Sequence, residues 1–384
     1  MDIHSVFIAV FILLRCNPGE SFISNSLRVI QEVADGTVGA VAKRVVDQVR
    51  KVVDVSATAS QNVNDSSLLG KIREGVYDVK NGIISGVDEV VGTPVTLDQL
   101  TFYLVTAENV ENPTIIDFFK PDDLAQTNGR IIFLIHGWMS YTNSVFYTDL
   151  SKIFTSKYPD SHIVLLDWDQ PASDYYPFSA FDTESVGEYV GILINRLLAN
   201  YGVSLANILL IGHSLGAHIS GFASKTFTKI TGKKLPRIIA LDPAGPLFVF
   251  RPNSKRLNKD DADVVMVMHT DAGVFGYPTV IGTIDFFPNN GANQPGCWKK
   301  LKAINLATYS QPVTCDHSRA WKYFIEAVEI TGSFPSRKCD SYENFENGNC
   351  DRNEIVTMGD LDTVATGSFF LKTNSKPPFS IPLP

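Results

Sequence analysis

Short apolar segments alternate with amphipathic segments from about residue 95 onward. The amphipathic segments, 183–201 and 217–229, repeat their apolar residues at helical spacing. The apolar segments are 130–135, 162–166, 208–211, 237–241 and 264–268. Short strands that are apolar on both faces are typical of a parallel sheet covered by helices. The pattern therefore predicts an α/β fold with a mostly parallel central sheet and helices on both faces, over residues 93–384.

Residues 21–92 have a different pattern of apolar and polar residues. Apolar residues recur at helical spacing over 27–52 and again over 69–90, with a polar linker at 56–67 between them. This predicts an N-terminal extension of two amphipathic helices. Three interpretations remain open for it: a helical hairpin packed on the main domain, a removable propeptide, or an arm that adsorbs to lipid.

The first twenty residues contain an apolar stretch from Val6 to Leu14. That stretch has the length of a signal-peptide core and is too short to span a bilayer. It predicts a signal peptide over 1–20, although Asp2 and His4 stand where Lys or Arg is usual. A buried N-terminal strand and a membrane anchor are the alternatives.

The formal net charge of −8 argues against a nucleic-acid partner and gives no reason to expect adsorption to anionic membranes. Adsorption to a lipid–water interface through apolar contacts stays open. The sequence gives no oligomeric state.

Five cysteines occur, and one of them, Cys16, lies in the signal segment. The other four are Cys297, Cys315, Cys339 and Cys350. An even number in a secreted chain predicts two disulfides, and the simplest of the three pairings joins sequence neighbours. No C-x-x-C spacing occurs, so we expect no metal site of that kind. Asn64 begins a sequon for N-glycosylation.

The apolar segment 208–211 ends in Gly212-His213-Ser214-Leu215-Gly216. This is G-x-S-x-G between a predicted strand and a predicted helix, the context of a nucleophile elbow. Glycines two residues before and after the serine remove the Cβ atoms that would clash in so tight a turn. We predict that Ser214 is a nucleophile, although an ordinary glycine-rich turn shows the same letters.

A serine nucleophile needs a base and an acid that orients the base. Asp242 follows the next apolar segment and is the predicted acid; the alternative is a turn aspartate, which is common before proline. His269 and His317 follow Asp242. His317 lies in a loop next to a cysteine, where it can fold over the serine, so it is preferred to His269, which ends a strand.

An oxyanion hole needs two backbone donors. The N–H of Leu215, the residue after the nucleophile, is one candidate. The N–H of Trp138, in the loop after the segment 130–135, is the other. Trp138 is also suited to plain aromatic packing, and the two roles are compatible.

These residues lie in segments that resemble the pancreatic lipase family, including its phospholipase A1 members. The matching segments are IHGW (135–138), LLDW (165–168), IGHSLGAHISGF (211–222), LDPAGP (241–246), VMHTD (267–271), DFFPNNGANQPGC (285–297), CDHSRAWKYF (315–324) and the tail from Cys339. The resemblance implies an α/β-hydrolase fold and a Ser214–Asp242–His317 triad. It also implies disulfides Cys297–Cys315 and Cys339–Cys350, with a lid from Cys297 to Cys315.

Three departures from the family change the expected function. The lid is short, which favours phospholipid as a substrate. The chain stops about where the family's catalytic domain stops, so we expect no C-terminal β-sandwich and no colipase. In the segment 256–262, which matches the calcium loop of some relatives, Asn258 replaces a carboxylate, so we expect no structural Ca²⁺ and no cofactor.

The sequence therefore predicts a secreted lipase that hydrolyses carboxylic ester bonds of lipids, triacylglycerol or phospholipid, through an acyl-enzyme. A catalytically silent lipid carrier or yolk-type storage protein of the same family is the alternative. A third interpretation is an enzyme held inactive until residues 21–92 are removed.

Overall fold

An eleven-stranded sheet runs through the described part of the chain, residues 94–174, 176–297 and 315–383 of a computed structural model. The strands are β1 (Thr101–Val105), β2 (Thr114–Ile115), β3 (Ile131–Ile135), β4 (His162–Asp167), β5 (Ile208–His213), β6 (Leu235–Leu241), β7 (Ala262–Met268), β8 (Ile284–Pro288), β9 (Pro335–Lys338), β10 (Ile355–Thr357) and β11 (Gly367–Leu371). Their order is β10-β9-β11-β8-β7-β6-β5-β3-β4-β1-β2. The seven central strands, from β11 to β4, are parallel. At each edge of the sheet, two further strands pair antiparallel with their neighbours.

Helices cover both faces of this sheet. The described helices are α1 (Asp122–Ala125), α2 (Val145–Lys157), α3 (Asp169–Ala172), α4 (Tyr176–Tyr201), α5 (Leu215–Thr231), α6 (Cys315–Glu329) and α7 (Tyr342–Glu346). Alternate strand residues such as Ile132 and Leu134 share one apolar cluster with α2 and α6. The intervening residues, such as Phe133, are equally buried but lie outside that cluster, and α5 packs on β5 and β6. Both faces of the central strands are thus covered, which explains why these strands contain runs of consecutive apolar residues.

The register brings four strand ends to one edge of the sheet. Ile135 lies opposite Gly212, His213 opposite Leu241, and Leu241 opposite Met268. The residues that follow these ends are His136, Ser214, Asp242 and His269. The carboxyl edge of the parallel strands therefore gathers Ser214, Asp242 and His269, which the sequence analysis considered, together with His136, which it did not.

The structure confirms the predicted fold class, a mostly parallel sheet with helices on both faces. Helix boundaries differ from the prediction: α4 begins at Tyr176 rather than 183, and α5 spans Leu215–Thr231 rather than 217–229. The predicted signal peptide (1–20), the helical extension (21–92), the sequon at Asn64 and the lid residues 298–314 lie outside the described residues. Within the described ranges, no helix is long and apolar enough to cross a membrane.

Two disulfides occur among the residues that the structure describes. Cys297 is bonded to Cys315, the first residue of α6, with 5.5 Å between their Cα atoms. Cys339 is bonded to Cys350 across α7, with a Cα separation of 5.7 Å. The first disulfide attaches the N-terminus of α6 to the segment that follows β8, close to His317.

Candidate active site

Ser214 occupies a strained turn between β5 and α5. Its φ of 58° and ψ of −118° lie in a region that residues with a Cβ rarely adopt. A Cβ at Gly212 would lie 2.2 Å from the Gly216 carbonyl oxygen, and one at Gly216 would lie 2.1 Å from the Ile135 carbonyl oxygen. Both positions of the G-x-S-x-G motif therefore have no room for a side chain.

Backbone hydrogen bonds tie this turn to the segment that carries Asp242. The Ser214 N–H donates to the Leu241 carbonyl (3.1 Å), and the Ser214 carbonyl accepts from the Ala244 N–H (3.2 Å). Leu241 and Ala244 bracket Asp242 in sequence. The serine and the aspartate are thus held on adjoining loops at one sheet edge.

Asp242 is completely buried, and its two carboxylate oxygens have different partners. Oδ1 accepts hydrogen bonds from the backbone N–H groups of Thr270 (2.8 Å) and Asp271 (3.2 Å). Oδ2 lies 2.6 Å from Nδ1 of His317. The backbone bonds at Oδ1 fix the carboxylate so that its other oxygen faces the imidazole.

Asp271 is a second buried carboxyl beside this pair. One ligand atom from each of Asp242, Asp271 and His317 lies within 4.8 Å of the others. Burial, followed by the negative charge of Asp242, raises the pKa of Asp271 to about 9. Asp271 is therefore a neutral acid near pH 7, unlike an ordinary aspartate.

His317 lies in the first turn of α6 and is largely buried, so the predicted loop position is wrong: the helix begins at Cys315, ahead of the histidine. Its carbonyl accepts a hydrogen bond from Nε2 of His213 (3.2 Å), and the two imidazole rings are 4.6 Å apart. Burial, followed by the nearby His317, lowers the pKa of His213 far below its ordinary value. His213, the neighbour of Ser214 in sequence, is thus a neutral group that links the serine turn to α6.

The structure brings Asp242 and His317 together and places Ser214 on the adjoining turn. Within the described residues, no hydrogen bond joins the Ser214 hydroxyl to the His317 imidazole. Hydrogen bonds between catalytic groups are often long or poorly aligned before substrate binds. The structure thus shows an imidazole oriented by Asp242 and a strained serine on the turn that is bonded to the segment of Asp242.

His269, the alternative base, has other partners. Its Nε2 lies 2.8 Å from Oδ1 of Asp285, and its Nδ1 donates to the Tyr277 carbonyl (3.0 Å). The ring stacks on Phe287 with 4.5 Å between centroids. Since both ring nitrogens are occupied inside the core, His269 is a structural residue.

The two candidate oxyanion donors lie next to Ser214. Leu215 is the first residue of α5, a position whose N–H has no acceptor inside its own helix. Trp138 follows Gly137, where a Cβ would lie 2.7 Å from the Ser214 Cβ. Nδ1 of His136 donates to the Gly137 carbonyl (2.8 Å). That carbonyl and the Trp138 N–H belong to one trans peptide, so the bond fixes the direction of the N–H.

Comparisons with known proteins find lipases and phospholipases that are similar to this chain. A family model for lipases matches residues 83–379. A phospholipase A1 of Vespa crabro is 34% identical over 309 residues, which cover 74% of this chain and 96% of that protein. A probable phospholipase A1, magnifin, of Vespa magnifica is 38% identical over 247 residues, which cover 60% and 69%. Lipoprotein lipase of Bos taurus is 33% identical over 276 residues, which cover 66% and 56%.

The chain belongs to the lipase family. Its resemblance to pancreatic lipases and their phospholipase A1 members is confirmed, and it is a carboxylic ester hydrolase. Solved esterases overlap with it only in part; the structure of esterase PE8 covers 39% of this chain and 72% of its own, at 18% identity and a TM-score of 0.26. The α/β-hydrolase fold of the lipase therefore rests on its own strand order and serine turn.

Two residues that the sequence analysis did not select support the loop containing Trp138. The Tyr147 hydroxyl accepts from the His136 N–H (3.1 Å) and lies 2.6 Å from the Leu166 carbonyl oxygen. The Trp168 indole N–H donates to the His136 carbonyl (3.1 Å), and its ring stacks on the His136 ring. Burial lowers the pKa of His136 to about 4. The LLDW segment marked Trp168 by resemblance alone, and no local pattern marked Tyr147.

The segment 256–262 of this lipase does not fit a calcium ion. Lys225 Nζ lies 2.5 Å from Oδ2 of Asp261, where it supplies a positive charge from within the protein. It also donates to the Arg256 carbonyl (2.8 Å). Asn258 donates its side-chain amide to Oδ1 of Asp261 (2.9 Å). A divalent cation would have to displace the ammonium group.

Proposed function

We propose that this lipase is a secreted enzyme that cleaves carboxylic ester bonds of lipids through an acyl-enzyme formed on Ser214. The supporting observation is the 2.6 Å contact between His317 and Asp242 at the sheet edge that carries Ser214 on its strained turn. An oriented imidazole beside a serine is the arrangement that activates a hydroxyl for acyl transfer.

The proposed reaction proceeds in two halves. His317 Nε2 removes the hydroxyl proton as Oγ of Ser214 attacks the ester carbonyl carbon. The Trp138 and Leu215 N–H groups stabilise the negative charge on the former carbonyl oxygen. His317 then transfers the proton to the leaving alcohol, and the ester C–O bond breaks. Water, deprotonated by His317, attacks the acyl-enzyme, and the returned proton restores the Ser214 hydroxyl as the fatty acid leaves. Asp242 holds the imidazole and stabilises its cationic form.

A lipid–water interface is the proposed setting for this reaction. Three large apolar side chains between Trp138 and the start of α2 are more than half exposed: Met139 (61%), Tyr141 (54%) and Val145, the first residue of α2 (55%). Met139 adopts a positive φ of 54°, so its exposed side chain is held in a strained backbone position. Apolar groups beside a site for lipid esters are suited to an acyl chain or a lipid surface.

Triacylglycerol and phospholipid are both proposed substrates, and a phospholipase A1-like activity is supported by the names of the Vespa relatives. The two disulfides fit an extracellular protein. We further propose that the protein is secreted by means of a signal peptide over 1–20, and that it acts without colipase, a cofactor or a nucleic-acid partner.

Replacement of Ser214 by Ala tests the proposal. We expect hydrolysis of phosphatidylcholine and triacylglycerol to fall by at least ~10³-fold, because the members of a triad act as a unit. A fluorophosphonate probe should form one adduct per chain on wild-type protein, located at Ser214 by peptide mass spectrometry. Ser204→Ala, at an exposed site before β5, is the matched control and should keep full activity. Undiminished hydrolysis by the Ser214 variant would reject the assignment.

A further inference from the structure

A fully buried side-chain amide lies behind the His317–Asp242 pair. Gln294, in the segment between β8 and Cys297, has no exposed surface. Its Nε2 donates to the carbonyls of Thr270 and Pro288, both at 3.0 Å. Its Oε1 accepts from the Asn289 amide (2.8 Å) and from the Tyr323 hydroxyl (3.2 Å). All four hydrogen-bonding positions of the amide are thus satisfied within the protein.

One side of this network reaches Asp242. The Thr270 carbonyl, held by Gln294, belongs to the same peptide unit as the Asp271 N–H. In a trans peptide these two groups point in opposite directions. The Asp271 N–H, with that of Thr270, donates to Oδ1 of Asp242. Gln294 therefore fixes the peptide plane that fixes the carboxylate.

The other side reaches the helix that carries His317. The backbone N–H of Gln294 donates to Oδ1 of Asp316, the residue before His317. Tyr323, two turns further along α6, donates to the Gln294 side chain and contacts Oγ1 of Thr373. A single residue thus contacts both the segment that holds the Asp242 carboxylate and the helix that carries His317.

We propose that Gln294 is a positioning residue that sets the geometry of the His317–Asp242 pair. This inference rests on the proposed function. The site requires an uncharged amide, because its NH₂ group donates to two carbonyls while its oxygen accepts from an amide and a hydroxyl. A glutamate would present oxygen to the Thr270 and Pro288 carbonyls, and an apolar side chain would leave both carbonyls unsatisfied.

The principal test is Gln294→Met, which keeps the length of the side chain and removes its hydrogen bonds. We expect kcat for a soluble ester, p-nitrophenyl butyrate, and the rate of fluorophosphonate labelling to fall roughly 10- to 100-fold, because displacement of a catalytic group by about 1 Å has that cost. KM should stay within about twofold, since Gln294 lies behind the pair. The acid limb of the kcat/KM profile should move to lower pH, because a looser pair stabilises the imidazolium less.

Asn258→Leu is the matched control. Asn258 is also a buried amide, but it bonds to Asp261 and Asn253 rather than to this network. Its loss should lower Tm yet leave kcat, labelling and the pH profile unchanged. If the Gln294 variant lowers Tm while the other three readouts match wild type, Gln294 is only structural and the inference is overturned.

A second variant covers the case in which Gln294→Met does not fold. Asp316→Ala removes the acceptor of the Gln294 backbone N–H at a half-buried position, and we expect roughly tenfold slower labelling. Labelling at the wild-type rate would overturn the inference. His317→Ala separates this result from a failure of the proposed function. If that variant is also labelled at the wild-type rate, the triad itself is wrong, whereas its loss of labelling leaves only the role of Gln294 in question.

Discussion

Replacement of Asp242 by Asn should move the ring proton of His317 from Nδ1 to Nε2. Oδ1 of Asp242 accepts two backbone N–H groups, from Thr270 and Asp271. An asparagine must therefore place its carbonyl oxygen there, since its NH₂ group would face two donors. The NH₂ group then occupies the position of Oδ2 and donates to Nδ1 of His317. The imidazole proton moves to Nε2, where it prevents acceptance of the Ser214 proton.

The size of the effect follows from the distance and the burial. Oδ2 and Nδ1 are 2.6 Å apart and Asp242 is fully buried. Taking the two charge centres as about 4 Å apart, an effective dielectric constant of ~20 gives an attraction of about 4 kcal/mol between carboxylate and imidazolium. At about 1.4 kcal/mol for each factor of ten, the loss of this attraction lowers kcat about 10³-fold. The wrong tautomer extends the expected loss toward about 10⁴-fold.

The assay is steady-state hydrolysis of p-nitrophenyl butyrate near pH 7, with Tm as a check of folding. Asp271→Asn is the matched control, because it replaces a neighbouring buried carboxyl. The pKa of Asp271 is raised to about 9, so the change exchanges one neutral group for another. We expect kcat of this control to stay within roughly threefold of wild type. The reasoning is refuted if both variants lose activity equally, or if Asp242→Asn keeps more than about a tenth of kcat.

Three further predictions follow from single contacts. Gly276→Ala would place a Cβ 2.4 Å from Oδ1 of Asp242, so kcat should fall by about 10²-fold while circular dichroism still shows a folded protein; unchanged kcat would contradict this reading. The folded state retains a proton on Asp271 that the unfolded chain releases, so the stability of the wild type should fall relative to that of Asp271→Asn as pH rises from about 4 to about 9. If the difference in urea midpoint between the two proteins is the same at pH 5 and at pH 8, the prediction is wrong. Lys225→Met leaves the buried Asp261 carboxylate without its positively charged partner and should lower the free energy of unfolding in urea by about 3–5 kcal/mol. EDTA should leave the Tm of the wild type unchanged, and a lower Tm with EDTA would indicate a calcium site.

The part of the site that the sequence could predict lies where strands end. Ser214 and Asp242 each follow a largely apolar strand, and parallel strands present their carboxyl ends at one edge. The preference for His317 over His269 rested on a different argument, that a loop can fold over the serine whereas a strand residue is committed to the sheet core. The structure places His317 in the first turn of α6 instead of a loop. His269 does bond to Asp285 inside that core.

The outer strands could not be predicted in this way. β10, for example, consists of Ile355–Thr357, and Ile355 is half exposed. Such a strand exists because β9 provides a partner for its backbone, not because its own residues alternate. A pairing between separate segments leaves no periodicity within either of them.

Hydrogen bonds between residues that are distant in sequence could not be predicted either. The sequence analysis judged the segment 256–262 from Asn258 alone. The residue that decides its chemistry is Lys225, which lies 36 positions from Asp261 in sequence and on a different element. The same holds for Tyr147, whose hydroxyl meets the Leu166 carbonyl across 19 positions. Neither contact follows a helix or strand period.

Side-chain hydrogen bonds to neighbouring carbonyls orient the peptide planes of the proposed active site. His136 holds the Gly137 carbonyl and thereby directs the Trp138 N–H, and Gln294 holds the Thr270 carbonyl and thereby directs the Asp271 N–H. In each case the supporting group is an uncharged, buried donor, so its orientation does not depend on salt or on pH near neutrality. Because peptide planes rotate as rigid units, the loss of such a donor releases an N–H that the reaction needs. Substitutions at residues that never touch the ester should therefore reduce kcat more than they raise KM.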